Sequence, residues 1–238
     1  MENITQFTAV VLAAGSGSRM KSGVKKQYMD LCGKPVIIHS LEAFEANKYI
    51  SSIVLVVGKG EIPYAMNLCL KFNIRKVRNI VEGGDMRFRS VYNGIAAAPE
   101  NTSYVLIHDG ARPLISDELI DRICDYVVMT RACVAAVPVK DTIKSGDSKG
   151  FCVKTLDRSN LWQVQTPQAF SFSLIKQAYK KLFETIEKYH PDERTITDDA
   201  VIVENMTDCR VRFVSGDYRN IKITTPEDLL IARAFLST

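Results

Sequence analysis

The sequence predicts an α/β fold of three layers, in which helices cover both faces of a mostly parallel, twisted sheet. Strand-like apolar runs alternate with helical stretches, which is the order that a doubly wound sheet requires. Several runs are apolar at every position, such as 53–57 (Ile-Val-Leu-Val-Val) and 134–139 (Val-Ala-Ala-Val-Pro-Val). Such runs are typical of strands buried on both faces. The expected arrangement is therefore a Rossmann-like αβα sandwich.

The elements follow one another in a regular order. The predicted strands are residues 9–14, 53–57, 80–81 with their flanking residues, 104–108 and 132–139, and the predicted helices between them lie near 34–45, 63–72, 89–97 and 117–129. Near the end of the chain, 209–215 and 220–224 are predicted as further strands. A last helix is expected after Thr225, since threonine is a favoured N-cap and Pro226 favours the first helical position.

Residues 140–158 interrupt this order and predict a protruding β-hairpin arm. Two strand-like stretches flank the turn sequence Gly-Asp-Ser-Lys-Gly at 146–150. An isolated two-stranded hairpin is marginally stable in water, so we expect the arm to pack on something, such as another subunit. No repeat or linker divides the chain, which predicts one domain over residues 1–238 that includes the arm.

The composition indicates a soluble globular protein, with 46% apolar and 24% charged residues. The net charge of +4 is weak and dispersed, so we expect an anionic small molecule as substrate and no nucleic acid. No apolar run approaches the roughly 20 residues that span a bilayer, and the first residues lack a signal-type core. We therefore expect a cytoplasmic protein without membrane contact. The six cysteines show no metal-ligand spacing and are expected to be reduced.

The most informative segment is a glycine-rich loop that follows the first strand. The apolar run 9–14 leads into Gly15 and Gly17, and the cations Arg19 and Lys26 come next. Glycines allow backbone N–H groups to approach phosphate oxygens closely, and the cations add full positive charge. Because ligands of open sheets bind beyond the carboxyl ends of the strands, this loop predicts a nucleoside triphosphate site at that edge.

Two common phosphate loops are excluded by spacing. The dinucleotide fingerprint requires a third glycine where Met20 stands, and the P-loop requires Gly-Lys where Met20-Lys21 stands. The run 53–57 is also followed by Gly58-Lys59, and not by the acidic residue that binds a ribose in dinucleotide-dependent oxidoreductases.

Further motifs along nearly the whole chain carry a resemblance to a known family. They are Leu12-Ala-Ala-Gly-Ser-Gly-Ser-Arg-Met20, Lys26-Gln-Tyr28, Gly83-Gly-Asp85 through Ser90, His108-Asp-Gly-Ala-Arg-Pro113, Val137 through Thr142, Leu156-Asp-Arg158, Leu161-Trp162, Gln165-Thr-Pro-Gln168, Thr197-Asp-Asp-Ala200 and Asn220-Ile-Lys-Ile-Thr224. On these motifs the chain resembles the 2-C-methyl-D-erythritol 4-phosphate cytidylyltransferases of the non-mevalonate isoprenoid pathway, which have a nucleotidyltransferase-type fold.

The resemblance implies a reaction and its chemistry. CTP and the sugar-alcohol phosphate would give a CDP-alcohol and pyrophosphate, with Mg²⁺ as cofactor, in a homodimer. The attacking phosphate monoester has a second pKa of about 6, so it is mostly dianionic at neutral pH and needs no general base. Catalysis then consists of positioning and fixed positive charge.

The resemblance also implies roles for individual residues. Arg19 and Lys26 would hold the β- and γ-phosphates, Lys222 would stabilise the reacting α-phosphate, and Arg158 would clamp the alcohol phosphate. CTP would further contact Ala13, Ala14, Gly15, Gly17, Gly83, Gly84, Asp85 and Ser90. The second substrate would contact Asp109, Arg112, Thr142, Arg158, Thr166 and Thr197. Through the arm, Arg158 and Thr142 would help to form the partner's site. Asp109 is the predicted Mg²⁺ ligand, the alternative being a structural pairing with Arg112.

Three other functions stay open at this point. A ribitol-5-phosphate cytidylyltransferase shares the glycine loop and the 220–224 motif, but Asp157-Arg158 and Leu161-Trp162 favour methylerythritol phosphate. A sugar-1-phosphate nucleotidyltransferase shares the first motif only. A non-catalytic nucleotide-binding protein on the same fold would be expected to lack at least one of the proposed charged groups. All four of these groups are present, namely Arg19, Lys26, Asp109 and Lys222.

Overall fold

The structure, a computed structural model, describes residues 5–15 and 23–237. The predicted triphosphate ligands Gly17 and Arg19 lie outside the described residues. The elements in chain order are β1 (Phe7–Ala13), β2 (Asp30–Leu31), β3 (Lys34–Pro35), α1 (Val36–Ala46), β4 (Ile50–Val57), α2 (Ile62–Lys71), β5 (Val77–Glu82), α3 (Arg87–Ala96), β6 (Tyr104–Asp109), α4 (Asp117–Thr130), β7 (Ala132–Pro138), β8 (Lys144–Gly146), β9 (Cys152–Thr155), β10 (Trp162–Ser171), α5 (Phe172–Tyr189), α6 (Asp199–Met206), β11 (Arg212–Ser215) and α7 (Pro226–Leu236).

A central sheet of seven strands, in the order β11-β7-β10-β6-β1-β4-β5, organises the chain. The strands run parallel except β10, which is antiparallel to both β6 and β7. One core lies between the sheet and α1, α2 and α4, and the other lies between the sheet and α3, α5 and α6. The predicted three-layer α/β fold is confirmed.

The fully apolar strands form because the sheet has a core on each face. In β4, Ile53 and Leu55 enter the core beneath α1 and α4, while Val54 and Val56 enter the core beneath α3 and α5. All four side chains are at most 2% exposed. Burying each such side chain contributes about 1.5–3 kcal/mol, so both faces of the strand contribute to stability.

Among the described residues, no helix combines the length and apolarity needed to cross a membrane.

The sequence prediction is wrong at residues 220–224, which form no strand and do not pair with the sheet. The Ile223 N–H donates instead to the Ala111 carbonyl oxygen at 2.8 Å. The apolar alternation that suggested a strand has another cause, because Ile221 and Ile223 pack on a small cluster with Leu31 and Val36. The strands β2, β3 and β10 and the helices α5 and α6 were not predicted.

The predicted hairpin arm is confirmed as a structural element. Strands β8 and β9 pair antiparallel, with Lys144 opposite Thr155. Every residue of these two strands is exposed. Two apolar side chains of the arm, Phe151 and Val153, are 69% and 67% exposed. The arm therefore presents apolar surface that the described residues of this chain leave uncovered.

The packing of α3 on the sheet predicts an effect of enlarging Gly94. A Cβ atom there would overlap Val10 Cγ1 and would lie 2.9 Å from Val56 Cγ2. We expect Gly94→Ala to lower the free energy of unfolding by about 1–3 kcal/mol through overpacking, despite the better helix propensity of alanine. Urea unfolding measures this change. The control Ala96→Gly, at an exposed position of the same helix, should cost about 1 kcal/mol by propensity alone. A Gly94→Ala protein more stable than the parent would contradict the packing argument.

Candidate active site

A cavity of about 410 Å³ opens at the carboxyl ends of β1 and β6, which are adjacent in the sheet. The chain continues from β1 to β4 on one side, whereas β6 lies on the other side, so the cavity lies at a switch in strand order. Ligands of doubly wound sheets bind at such points. The predicted site residues that line it are Ala13, Ala14, Gly15, Lys26, Gly84, Asp85, Ser90, Asp109 and Lys222.

The Asp109 carboxylate, at the end of β6, lies at the centre of the site and is nearly buried. Lys222 Nζ lies 2.6 Å from its Oδ2 atom, and Arg87 Nε lies 3.5 Å from its Oδ1 atom. Burial alone would raise the pKa of Asp109, but the charges of Arg87 and Lys222 outweigh burial and hold this pKa well below its usual range. The carboxylate is therefore ionised at neutral pH.

Arg87, at the first turn of α3, joins Asp109 to a second buried carboxylate. Its Nη1 atom lies 2.8 Å from Oδ2 of Asp199, whose side chain is 0% exposed. The Tyr179 hydroxyl donates to Asp199 Oδ1 at 2.7 Å. Burial raises the pKa of Asp199, against the opposing effect of Arg87. Sequence reasoning missed Arg87 and Asp199 as individual residues, although both stand within motifs of the resemblance.

A short 3-10 helix, Lys26–Tyr28, brings Lys26 to the cavity. Lys26 Nζ donates to the Ile223 carbonyl oxygen at 3.0 Å, next to Lys222 in the chain. The buried Gln27 amide donates to the carbonyl oxygens of Ala13 and Gly15, at 2.5 and 3.0 Å. Gln27 thereby attaches this turn to the end of β1. Sequence reasoning gave Gln27 no role, and the only signal was its place between Lys26 and Tyr28.

The glycine pair after β5 lets the backbone approach the glycine-rich loop. A Cβ atom on Gly83 would lie 2.5 Å from Ala14 Cβ and 2.6 Å from Ser90 Oγ. The Gly84 N–H donates to Ser90 Oγ at 3.1 Å, which fixes the turn into α3. The neighbouring Asp85 side chain is 79% exposed. Gly84, Asp85 and Ser90 of this segment line the cavity.

Arg112 and Thr166 lie behind the cavity wall, not among the groups that line it. Arg112 Nη1 donates to the Asn220 carbonyl oxygen at 2.7 Å. The Asp109 N–H donates to Thr166 Oγ1 at 3.1 Å, and this oxygen also lies 3.1 Å from His108 Nδ1. Burial lowers the pKa of His108 to about 4, so its imidazole is neutral at pH 7. Thr166 therefore holds the Asp109 backbone in place, and Arg112 holds the 220–224 segment.

The remaining predicted substrate ligands are exposed and lie away from the cavity. Thr142 and Arg158 are on the arm, where Arg158 Nη1 donates to the Lys140 carbonyl oxygen at 3.0 Å. Thr197 is exposed just before α6. In the part of the chain that the structure describes, these residues do not come together with Lys26 and Lys222, and their roles stay predictions.

The donor set at the cavity suits a magnesium ion that a triphosphate carries in. Within residues 5–15 and 23–237, no group of three or more His, Cys, Asp or Glu side chains could hold a metal by itself. Mg²⁺ in nucleotide sites is commonly held by one or two carboxylates together with phosphate oxygens and waters. The Asp109 carboxylate in the cavity wall fits this pattern, and its Oδ1 atom lies 3.5 Å from Arg87 Nε, farther than Oδ2 lies from Lys222.

The ion pair of Arg87 with Asp199 predicts a stability effect. We expect Arg87→Met to lower the free energy of unfolding by about 3–5 kcal/mol, because it leaves a buried carboxylate without its counter-charge. Adding Asp199→Asn should recover part of this loss. Urea unfolding tests both variants against Arg78→Met, an exposed position of β5 where we expect a change within about 0.5 kcal/mol. An Arg87→Met protein as stable as this control would show that the pair is dispensable.

Comparison with known proteins identifies the family. The family model for 2-C-methyl-D-erythritol 4-phosphate cytidylyltransferase matches residues 7–238. A protein of that name from Lachnospira eligens is 48% identical over 229 residues, covering 96% of this chain and 98% of that protein. A similar crystal structure, the 4-diphosphocytidyl-2C-methyl-D-erythritol synthase of Anaerococcus prevotii, has a TM-score of 0.83 at 31% identity and covers 98% of this chain and 99% of that one.

A second solved structure agrees. The 2-C-methyl-D-erythritol 4-phosphate cytidylyltransferase of Francisella tularensis has a TM-score of 0.80 at 28% identity, covering 97% of this chain and 99% of that one. The family model, the relatives and the fold coincide over nearly the full length. The chain therefore belongs to the 2-C-methyl-D-erythritol 4-phosphate cytidylyltransferase family, as its motifs indicate.

Proposed function

We propose that the protein joins CTP and 2-C-methyl-D-erythritol 4-phosphate to give 4-CDP-2-C-methyl-D-erythritol and pyrophosphate. Family membership supports this activity. The observation that carries it is the convergence of Lys26 and Lys222 on a cavity whose wall holds the ionised Asp109. Two ammonium groups on one side of a small cavity suit a polyanion such as a triphosphate.

The reaction would proceed by in-line attack of the substrate phosphate on the α-phosphate of CTP. The attacking monoester is mostly dianionic at neutral pH, so no proton has to be removed from it. The barrier is electrostatic, because two anions approach while pyrophosphate leaves. Fixed positive groups at a preorganised site lower such barriers. Because no base is required, the buried and neutral His108 takes no part in this scheme.

Lys222 suits contact with the reacting α-phosphate. Its ammonium group has three donors, of which Asp109 engages one, so the others can meet phosphate oxygens. Asp109 also fixes where this ammonium lies before substrate arrives. Lys26, held at the Ile223 carbonyl oxygen, would take the β- and γ-phosphates together with Arg19. The cytosine would lie against Gly83, Gly84, Asp85 and Ser90, where the narrow turn favours a pyrimidine over a larger purine.

Mg²⁺ belongs to this proposal as a cofactor that enters with CTP. Asp109 would hold it, with the triphosphate oxygens as further ligands. The bound ion would supply positive charge that neutralises the triphosphate.

The second substrate and the dimer complete the proposal. The arm carries Arg158 and Thr142, and its apolar Phe151 and Val153 are uncovered within one subunit. We propose that these apolar groups are buried in a homodimer and that the arm brings Arg158 and Thr142 to the partner's cavity. Arg158 would then clamp the alcohol phosphate, for which its planar guanidinium is suited.

The experiment that tests the activity measures pyrophosphate release from CTP and Mg²⁺ by the purified protein. Methylerythritol 4-phosphate and ribitol 5-phosphate are compared as acceptors. We expect strong preference for methylerythritol 4-phosphate. Preference for ribitol 5-phosphate would retain the CTP site and overturn the acceptor assignment. Release with neither acceptor would overturn the proposed activity.

Replacing Lys222 tests its contact with the α-phosphate. We expect Lys222→Ala to raise the activation barrier by about 3–4 kcal/mol, as loss of one transition-state donor does. The kcat should therefore fall roughly 10²- to 10³-fold. Stability is measured alongside, because Asp109 loses its nearest counter-charge. The control is Lys34→Ala, whose ammonium pairs with Glu42 at 2.8 Å and does not line the cavity. A loss of turnover below about tenfold would contradict the role.

Replacing Arg158 separates the two substrates. We expect Arg158→Ala to raise the KM of the alcohol phosphate and lower turnover, while CTP affinity measured by calorimetry stays close to that of the parent protein. The control is Arg210→Ala, at another exposed arginine. Equal losses for CTP and for the alcohol phosphate would argue against the clamp.

A further inference from the structure

Glu61, in the loop between β4 and α2, gathers donors from two separate segments of the chain. Its Oε1 atom lies 2.5 Å from Lys25 Nζ. Its Oε2 atom accepts from the Tyr28 hydroxyl at 2.9 Å and from the Gly58 N–H at 3.0 Å. The Glu61 side chain is only 18% exposed, and Glu61 is not among the residues that line the cavity. The proposed mechanism gives it no role.

The two side chains that Glu61 holds stand on either side of Lys26 and Gln27. The Tyr28 N–H donates to the Lys25 carbonyl oxygen at 2.9 Å, which closes the turn. Side chains three residues apart eclipse each other in a 3-10 turn, so Lys25 and Tyr28 reach the same neighbour. Lys26 and Gln27 make their contacts elsewhere, at the Ile223 carbonyl oxygen and at the end of β1. The turn is thus held on two sides.

We propose that Glu61 is a positioning residue that sets the place of Lys26 at the triphosphate site by holding the turn through Lys25 and Tyr28. The inference rests on the proposed function of Lys26. It adds a group outside the cavity whose effect on catalysis passes through one lysine.

The chemistry of the contacts explains why a carboxylate stands at this position. An ionised carboxylate only accepts hydrogen bonds and has lone pairs for all three donors, whereas a glutamine would turn an N–H₂ group toward one of them. Burial alone would raise the pKa of Glu61, but its bonds with Lys25, Tyr28 and Gly58 outweigh burial and lower this pKa. Glu61 also gives the partly exposed Lys25 ammonium an ion-pair partner. Tyr28 is held further by an edge-to-face contact with Tyr64, with ring centroids 4.9 Å apart.

The positioning role of Glu61 can be distinguished from a purely structural role in stabilising the loop. If Glu61 only stabilised the loop, its loss would lower activity equally whether or not Lys26 were present. If it acts through Lys26, its loss should have no further effect once Lys26 is gone, because two groups that act as a unit are not additive. The coupling between the two substitutions therefore distinguishes positioning from stability.

The test is a double-mutant cycle of Glu61→Gln with Lys26→Met. We expect Glu61→Gln alone to lower kcat/KM for CTP about tenfold or more, and to change it less than about twofold in the Lys26→Met background. The same cycle is measured for the affinity of MgCTP by calorimetry. The matched control is Glu82→Gln. Glu82, the last residue of β5, accepts a hydrogen bond at 2.7 Å from the N–H of Gly60, which lies in the same loop as Glu61. Its carboxylate is not bonded to Lys25 or Tyr28. We expect this control to retain wild-type kcat/KM.

The outcomes separate this inference from the proposed function. An active wild-type protein whose Glu61→Gln variant matches Glu82→Gln would overturn the inference alone, and so would equal losses in the two Lys26 backgrounds. An inactive wild-type protein would overturn the proposed function, and the calorimetric cycle would still decide on Glu61. Should Glu61→Gln fail to fold, Lys25→Met and Tyr28→Phe each remove one donor. We then expect each to show a smaller loss that likewise vanishes with Lys26→Met, and independence of Lys26 would overturn the inference.

Discussion

The nearly buried Asp109 carboxylate is the constraint on which the rest of the site depends. An ionised carboxylate removed from water requires positive partners, and here they come from two distant segments, Lys222 and Arg87. Arg87 in turn neutralises Asp199 of α6. A series of linked ion pairs therefore joins the end of β6, the start of α3, the 220–224 segment and α6.

The same charges are arranged to receive an anion. Asp109 places the Lys222 ammonium at the cavity without consuming all its donors, and the Lys26 ammonium reaches the adjacent carbonyl oxygen of Ile223. A triphosphate would find cations already oriented, so little reorganisation accompanies its binding. Glu61 extends this principle one layer outward, since it engages the side chains on either side of Lys26 in the chain. On these proposals, Asp109 and Glu61 are the carboxylates that position the cations expected to contact the triphosphate.

The sequence predicted the central strands β4 and β7, whose residues are apolar on both faces, and missed β10, in which polar residues are buried. The run at β4 is apolar on both faces, and so its strand could be recognised. In β10 the buried residues include Gln165, Thr166 and Gln168, which lack the pattern of a central strand. They are tolerated because their polar groups have partners; for example, the Gln168 amide donates to Asp198 and accepts from the Asp199 N–H. Such long-range pairing is not visible in local sequence.

The candidate site was predictable to a similar extent. Gly15 and Lys26 stand in a segment whose chemistry points to phosphate, whereas Lys222 was assigned its role only through the resemblance. Together with Asp109, these residues line one cavity. Arg87 and Gln27 could not be distinguished from surface residues, since their partners lie in other elements and no local pattern links them. The most direct test of the account is a crystal structure with CTP and Mg²⁺. The proposed site predicts that Lys26 and Lys222 contact the triphosphate and that the cytosine lies against residues 83–90. CTP bound away from Asp109 and these lysines would contradict it.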